Sequence, residues 1–128
     1  MTSTEPGLVA VIDDDASTLS ALWRLLVAHR YRVKTFSTAE ELLQGADLDH
    51  VQCVIADINL GDGMSGLELG ETLLASGRST PLVLMTGSAD DAMRRRARDL
   101  GCVDVLDKPF TGDELLEAIV KALGPGKS

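Results

Sequence analysis

Short apolar runs alternate with helix-type patterns along most of this 128-residue chain, and this alternation constrains the fold more than any other feature. Three of the runs are continuously apolar, which is typical of strands covered on both faces. Two weaker runs are rich in residues that favour strands. The runs predict strands at Leu8–Ile12, Tyr31–Phe36, Val51–Ala56, Pro81–Met85 and Cys102–Leu106.

Between the strands, apolar residues recur at the spacing of one helix face. The first set follows the i, i+3, i+4, i+7 pattern, the second is less regular, and two further sets follow. The sets are Leu19, Leu22, Trp23 and Leu26; Leu67, Leu69, Leu73 and Leu74; Ala89, Ala92, Met93, Ala97 and Leu100; and Leu115, Leu116, Ile119, Ala122 and Leu123.

Signals for helix ends agree with these segments. A Ser or Thr followed three residues later by an acid predicts a capping box, and a glycine after the last turn suits a left-handed C′ residue. The predicted boxes are Ser37-x-x-Glu40, Ser65-x-x-Glu68, Ser88-x-x-Asp91 and Thr111-x-x-Glu114, and the predicted C′ residues are Gly45, Gly77, Gly101 and Gly124.

The order of elements is β-α repeated five times, (βα)5. Such alternation predicts an α/β fold with an open, doubly wound, five-stranded parallel sheet and helices on both faces. One domain is expected over residues 8–123, with a disordered tail at 1–7 and a tail or linker stub at 124–128.

Composition excludes several classes of function. A net charge of −8 argues against duplex DNA binding, and one Trp, one Tyr and two Phe are too few for base-stacking platforms. No apolar run is long enough to span a membrane, and no secretory leader is visible. Cys53 and Cys102 lie in apolar runs, so we expect buried, reduced thiols in a cytoplasmic protein.

Candidate functional residues follow the predicted strands. Ligands of open parallel sheets bind beyond the carboxyl ends of the strands, so side chains at those ends should converge. These residues are Asp13, Asp14 and Asp15 after the first strand, Asp57 after the third, Thr86 after the fourth and Lys108 after the fifth.

This set of side chains indicates phosphoryl-transfer chemistry. Clustered carboxylates repel one another, and an all-oxygen set without His or Cys favours Mg²⁺. A carboxylate nucleophile, Mg²⁺, the Lys108 ammonium and the Thr86 hydroxyl could position a phosphoryl group and neutralise its charge. Taken singly, each residue has an ordinary alternative, such as helix capping by the aspartates or by Thr86.

Five segments resemble the receiver domain of two-component response regulators, over residues 8–123. The resemblance implies a flavodoxin-like, CheY-like sheet with strand order 2-1-3-4-5. It extends both to receivers fused to helix-turn-helix outputs and to stand-alone receivers. The segments are Val9–Asp15, Val54–Asp57, Met64–Leu69, Leu84–Gly87 and Leu106–Phe110.

The resemblance also implies roles for the acidic residues. Asp57 would accept a phosphoryl group from the phosphohistidine of a sensor histidine kinase or a histidine phosphotransfer protein. Asp14, Asp57 and the backbone carbonyl of Asn59 would hold Mg²⁺, with Asp13 acting through water.

The remaining implied roles concern the phosphoryl group and the output. Thr86 and Lys108 would contact the phosphoryl group, and the Lys108–Pro109 peptide would be cis. The phosphorylated protein would change conformation, signal, and dephosphorylate itself. A homodimer or an output partner would use the fourth helix and fifth strand, without direct contact to nucleic acid or membrane.

Three departures from the family pattern stand out. Gly61 replaces the usual proline, and Gly61-Asp62-Gly63 makes this loop one residue longer and adds a charge. Val105 replaces the usual aromatic residue three positions before the lysine. Gly87 and Ser88 are small, which predicts an open entrance to the site.

Several alternatives stay open. Asp13-x-Asp15 with Thr86 and Lys108 mimics the motif order of haloacid-dehalogenase-like phosphatases, although Asp57 would then have no role. The chain could equally be the receiver of a longer DNA-binding regulator. The arginines of the fourth helix could form a solvated face or a partner-binding face; they are Arg94, Arg95, Arg96 and Arg98.

Overall fold

Strands and helices alternate in the computed structural model, which describes residues 7–45, 48–88 and 90–124. The predicted tails therefore lie outside the described residues, apart from Gly7 and Gly124. The strands are β1 Leu8–Ile12, β2 Arg32–Phe36, β3 Val51–Asp57, β4 Leu82–Thr86 and β5 Asp104–Asp107. The helices are α1 Ala16–Ala28, α2 Ala39–Gly45, α3 Gly66–Ala75, α4 Asp91–Asp99 and α5 Gly112–Leu123, and a 3₁₀ turn, Leu48–His50, precedes β3.

The strands form one parallel sheet in the order β2-β1-β3-β4-β5, which confirms the predicted doubly wound fold. The register aligns the carboxyl ends of the inner strands. Ile12 of β1 pairs with Ala56 of β3, and Thr86 of β4 pairs with Asp107 of β5. Residues just beyond these pairs therefore meet at one edge of the sheet.

Both faces of the sheet are covered, as the continuous apolar runs predict. Val9 and Val11 point to the side covered by α1 and α5, whereas Ala10 and Ile12 point to the side covered by α2, α3 and α4. Because both sets are buried, a one-residue slip of a strand would exchange them and misplace every side chain beyond its end. No helix within the described residues is long and apolar enough to cross a bilayer.

Two residues of the predicted helix faces lie outside the core. Trp23 is 45% exposed and Leu74 is 56% exposed, although the patterns placed both with buried neighbours. Each helix covers only one side of a sheet, so the stripe is narrow and its flanking residues turn to solvent. Leu22 and Leu26 make the buried stripe of α1 instead. Ala89 lies outside the described residues.

The capping predictions are confirmed for two helices and wrong for two. Ser65 with Glu68 and Thr111 with Glu114 form capping boxes. In α2 the frame is one residue later, since the Glu41 N–H donates to the Thr38 hydroxyl. In α4 the Asp90 carboxylate, not Ser88, accepts from Met93. Neighbouring cap candidates compete, and burial of apolar residues such as Ala39 and Ala97 selects the frame.

Glycines end three of the helices as predicted. Gly77, Gly101 and Gly124 have φ angles of 84°, 78° and 88°, in the left-handed region. Gly45 differs, because it is the last residue of α2 itself and is not among the glycines with positive φ.

Candidate functional site

Polar residues lie at the carboxyl ends of four strands, as the sequence predicts, and the side chains of three of them are in contact. Asp13 follows β1, Asp57 ends β3, Thr86 ends β4 and Lys108 follows β5. Asp13, Asp57 and Thr86 are buried, with 0%, 7% and 3% of their surface exposed. Buried carboxylates require partners, so their contacts define the site.

Lys108 joins the two buried carboxylates. Its Nζ lies 2.9 Å from Asp13 Oδ2 and 2.6 Å from Asp57 Oδ2. Burial by itself would lower the pKa of Lys108, but the hydrogen bonds to Asp57 and Asp13 outweigh it and raise the pKa. The lysine therefore stays protonated and supplies a fixed positive charge beside Asp57.

Each carboxylate uses its second oxygen in the same way. Asp13 Oδ1 accepts from the N–H of Asp15, and Asp57 Oδ1 accepts from the N–H of Asn59, both at 2.9 Å. Together with the bonds to Lys108, these backbone hydrogen bonds fix the orientation of both carboxylates.

The acidic residues form one oxygen cluster. One carboxylate oxygen from each of Asp13, Asp14 and Asp57 lies within 4.8 Å of the others. Asp14 is exposed and stands at the entrance, whereas the other two are buried. Hard oxygen donors in this arrangement fit a divalent cation such as Mg²⁺.

Thr86 forms one hydrogen bond through its hydroxyl and another through its carbonyl. Its Oγ1 accepts from the N–H of Ser88 at 3.1 Å, and its carbonyl accepts from the N–H of Lys108 at 2.8 Å. The hydroxyl proton stays available for donation, because the bond with Ser88 uses only a lone pair. The Lys108–Pro109 peptide is cis, as the resemblance implied.

Sequence reasoning assigned no structural role to Gly66, the first residue of α3. Its N–H donates to the Ile58 carbonyl at 2.9 Å, which brings α3 against the end of β3. A Cβ at Gly66 would lie 2.5 Å from the Asp57 carbonyl oxygen, far inside van der Waals contact. Only a glycine fits here. The Ser-Gly pair in the sequence gives little indication that α3 approaches β3 this closely.

Sequence reasoning also missed the role of Glu40. It was expected to complete a capping box with Ser37, but its carboxylate accepts from the backbone N–H of Met64 in the β3–α3 loop. The partners are 24 residues apart in the chain, so no local pattern could reveal the contact.

Asp15 belongs to the helix rather than to the acidic cluster. It is the N-cap of α1 and accepts from Ser17 and Thr18. These hydrogen bonds, of which that from Ser17 has the largest effect, hold the pKa of Asp15 below the usual value. A phosphatase mechanism would use Asp15 as the acid or base, and its capping bonds leave it poorly suited to that role.

Two arginines of α4 form ion pairs with residues of other elements. Arg94 lies 2.6 Å from Asp107 of β5, and Arg96 lies 3.2 Å from Glu71 of α3. Arg95 and Arg98 are exposed. The first pair places α4 in contact with the residue that precedes Lys108.

Known proteins and solved structures resemble this chain over most of its length. Residues 9–120 match the response regulator receiver domain family. Nodulation protein W of Bradyrhizobium diazoefficiens is 36% identical over 116 residues, which are 91% of this chain and 51% of that protein. Transcriptional regulatory protein FixJ of the same organism is 34% identical over 120 residues, which are 94% of this chain and 58% of that protein. The structure of the response regulator StyR is 36% identical with a TM-score of 0.85, over 94% of this chain and 60% of that one.

The parallel sheet and the aspartate–lysine–aspartate cluster at its carboxyl edge are consistent with this family, whose members are signalling modules. The chain belongs to the receiver domains of two-component response regulators. It spans roughly half the length of the relatives it matches.

Proposed function

We propose that this domain accepts a phosphoryl group on Asp57 from the phosphohistidine of a sensor histidine kinase or a histidine phosphotransfer protein. The observation that carries the proposal is the placement of Asp57, which ends the central strand with one oxygen 2.6 Å from the Lys108 ammonium. The proposed nucleophile thus lies beside a positive charge that can bind the oxygens of the phosphoryl group.

The transfer is a substitution at phosphorus. A carboxylate oxygen of Asp57 attacks in line, a P–O bond forms, and the P–N bond to histidine breaks. The histidine nitrogen keeps the electron pair of that bond and takes up a proton. Lys108 stabilises the negative charge on the transferred group, and the Thr86 hydroxyl donates to one of its oxygens.

The proposed metal is Mg²⁺, held by Asp14, Asp57 and the carbonyl of Asn59, with Asp13 acting through water. The carboxylate cluster supports this, because its oxygens lie within 4.8 Å of one another. When bound, the ion neutralises charge on the phosphoryl group and on the carboxylates.

Loss of the phosphoryl group reverses the signal. Water attacks the phosphorus, the P–O bond to Asp57 breaks, and inorganic phosphate leaves. Gly87 and Ser88 are exposed small residues at the entrance, which supports ready access of water.

The output is proposed to leave through α4 and β5, toward a second copy or an output partner. The Arg94–Asp107 pair supports this route, because it connects α4 to the residue next to Lys108. The relatives are longer, and one is named a transcriptional regulatory protein, so an output domain on the same polypeptide is part of the proposal. We place the protein in the cytoplasm, where kinase and output would meet it.

Intact-mass measurement tests the phosphoacceptor. The wild-type protein should gain one phosphoryl group from acetyl phosphate with Mg²⁺, and from a phosphorylated histidine kinase. Asp57→Asn keeps the shape of the side chain and should gain none. Asp13→Asn is the matched control, since it makes the same change in the other carboxylate bound to Lys108. It should take up the group more slowly, still on Asp57.

The opposite pattern would overturn the proposal. A phosphoryl group retained by Asp57→Asn and lost in Asp13→Asn would make Asp13 the nucleophile, as in the phosphatase interpretation.

A further inference from the structure

Glu40 of α2 reaches across the surface to the β3–α3 loop, defined here as residues 58–65. Its Oε2 accepts a hydrogen bond from the Met64 N–H at 2.9 Å. A hydrogen bond to an ionised acceptor is stronger than one between neutral groups. The contact therefore ties the loop to an element that precedes β3.

The same carboxylate stands against Gly63. A Cβ at Gly63 would lie 3.0 Å from Glu40 Oε1 and 3.1 Å from Oε2, which is tighter than ordinary contact. Glu40 can approach the loop this closely because Gly63 has no side chain. The bond to Met64 and the absence of a Cβ thus belong to one arrangement.

The exposed part of the loop, residues 61–63, lies between two anchored segments. Ile58 is fixed at one end by backbone bonds to Met85 and Gly66, and Ser65 is fixed at the other end as the cap of α3. Between them, Gly61 has a φ of 79° and residues 61–63 are exposed. Glycines widen the backbone conformations open to a loop, and the bond to the Met64 N–H restrains residues 61–63 on the side next to α3.

The tethered loop borders the acidic cluster on two sides. It contains Asn59, whose N–H holds the Asp57 carboxylate. A Cβ at Gly61 would lie 3.6 Å from Asp14 Oδ2, so the loop backbone packs beside that carboxylate as well. The position of the loop therefore affects Asp57 and Asp14, both proposed ligands of the metal.

We propose that Glu40 is a positioning residue, which holds the β3–α3 loop in the form that binds Mg²⁺ beside Asp57. The inference rests on the proposed function for its metal. Residues that orient metal ligands typically contribute about 10- to 100-fold to affinity, and Glu40 acts through the backbone, one step further away.

Hydrogen exchange of the metal-free protein tests the tether itself. Glu40→Ala should speed exchange of the Met64 amide by about tenfold or more, because the amide loses its acceptor. Glu40→Gln keeps an oxygen acceptor without the charge and should give protection between that of the wild type and that of Glu40→Ala. Glu41→Ala is the matched control, since Glu41 is its neighbour in the first turn of α2 but bonds to Ser37.

Calorimetric titration with Mg²⁺ alone tests the consequence. Glu40→Ala should weaken binding by about three- to tenfold, less than loss of a direct orienting contact. Gly63→Ala should have the same effect from the loop side, because its methyl group displaces the carboxylate. The double variant should bind no more weakly than either single one, since both changes break one contact.

Three results would overturn the inference: unchanged Met64 exchange and Mg²⁺ affinity in Glu40→Ala, a Glu40→Gln variant as impaired as Glu40→Ala, or the same losses in Glu41→Ala. These readouts do not depend on phosphorylation. A wild-type protein that binds Mg²⁺ but takes up no phosphoryl group would refute the proposed function and leave the role of Glu40 to be judged on exchange and affinity.

Discussion

At the scale of single residues, the site carries more negative than positive charge, so a bound cation would stabilise it. Lys108 serves two buried carboxylates, and Asp14 adds a further negative charge at the entrance. Unit charges about 4 Å apart repel by about 1 kcal/mol in water and about 4 kcal/mol near a protein surface. The metal-free cluster is therefore less stable than its hydrogen bonds alone would make it.

Asp14→Ala separates these effects. It should raise the melting temperature of the metal-free protein by relieving repulsion, and it should weaken Mg²⁺ binding. In the wild type, Mg²⁺ at one hundred times its Kd should stabilise the fold by about 2.7 kcal/mol. Thermal unfolding with and without Mg²⁺ measures both effects, and Asp62→Ala makes the same charge change in the loop as a control. Lower metal-free stability with unchanged Mg²⁺ affinity would contradict this account.

The two thiols should differ in reactivity. Burial raises the pKa of Cys53 to about 12, and burial together with Asp104 raises that of Cys102. The thiolate is the nucleophile, so a raised pKa leaves both thiols protonated near pH 8 and slows alkylation. Because Cys102 is only half-buried, iodoacetamide should label it first, and Cys53 should react only on unfolding. Peptide mapping checks this, and faster labelling of Cys53 in the folded protein would refute it.

At the scale of elements, the approach of α3 to β3 depends on a glycine. Gly66→Ala should destabilise the protein by about 1–3 kcal/mol, since its Cβ would overlap the Asp57 carbonyl. Gly45→Ala, at the end of α2 with open space around the Cβ, should be neutral or stabilise by up to about 1 kcal/mol. Urea unfolding of both variants provides the comparison, and equal midpoints would show that the close approach is not rigid.

Elements differ in how far the sequence predicts them. The strands and the α3 and α5 capping boxes follow from local patterns, because buried strands and first-turn hydrogen bonds involve adjacent residues. The caps of α2 and α4 do not, since Thr38 and Asp90 compete with near neighbours and packing decides. Glu40 and Gly66 act through contacts between distant segments, which no periodicity encodes. Site residues at strand ends were predictable because the topology dictates where strands end.

At the scale of the whole molecule, the proposed signal has to leave the site although Val105 stands where receivers usually carry an aromatic residue. Val105 is partly buried and packs on the side of the sheet covered by α4. It is short and β-branched, so an in-and-out movement would change little exposed area. We therefore expect the contacts that change on the proposed phosphorylation to lie elsewhere, at the Thr86 hydroxyl and the Arg94–Asp107 pair.

Val105→Ala should therefore leave phosphorylation-dependent association nearly unchanged, whereas Thr86→Ala should impair it. Dimer or partner affinity, measured with and without the phosphoryl group, separates the two variants. If Val105→Ala removes the response while Asp57 still takes up phosphate and the fold is intact, the Val105 side chain carries the signal and this prediction is wrong.

The chemical location of the phosphoryl group identifies the phosphoacceptor. Borohydride reduces an acyl phosphate to an alcohol, so a phosphorylated aspartate becomes homoserine and can be found by peptide mapping. After reaction with a phosphodonor and Mg²⁺, we expect homoserine at position 57 and at no other aspartate. Homoserine at position 13 or 14 would contradict it.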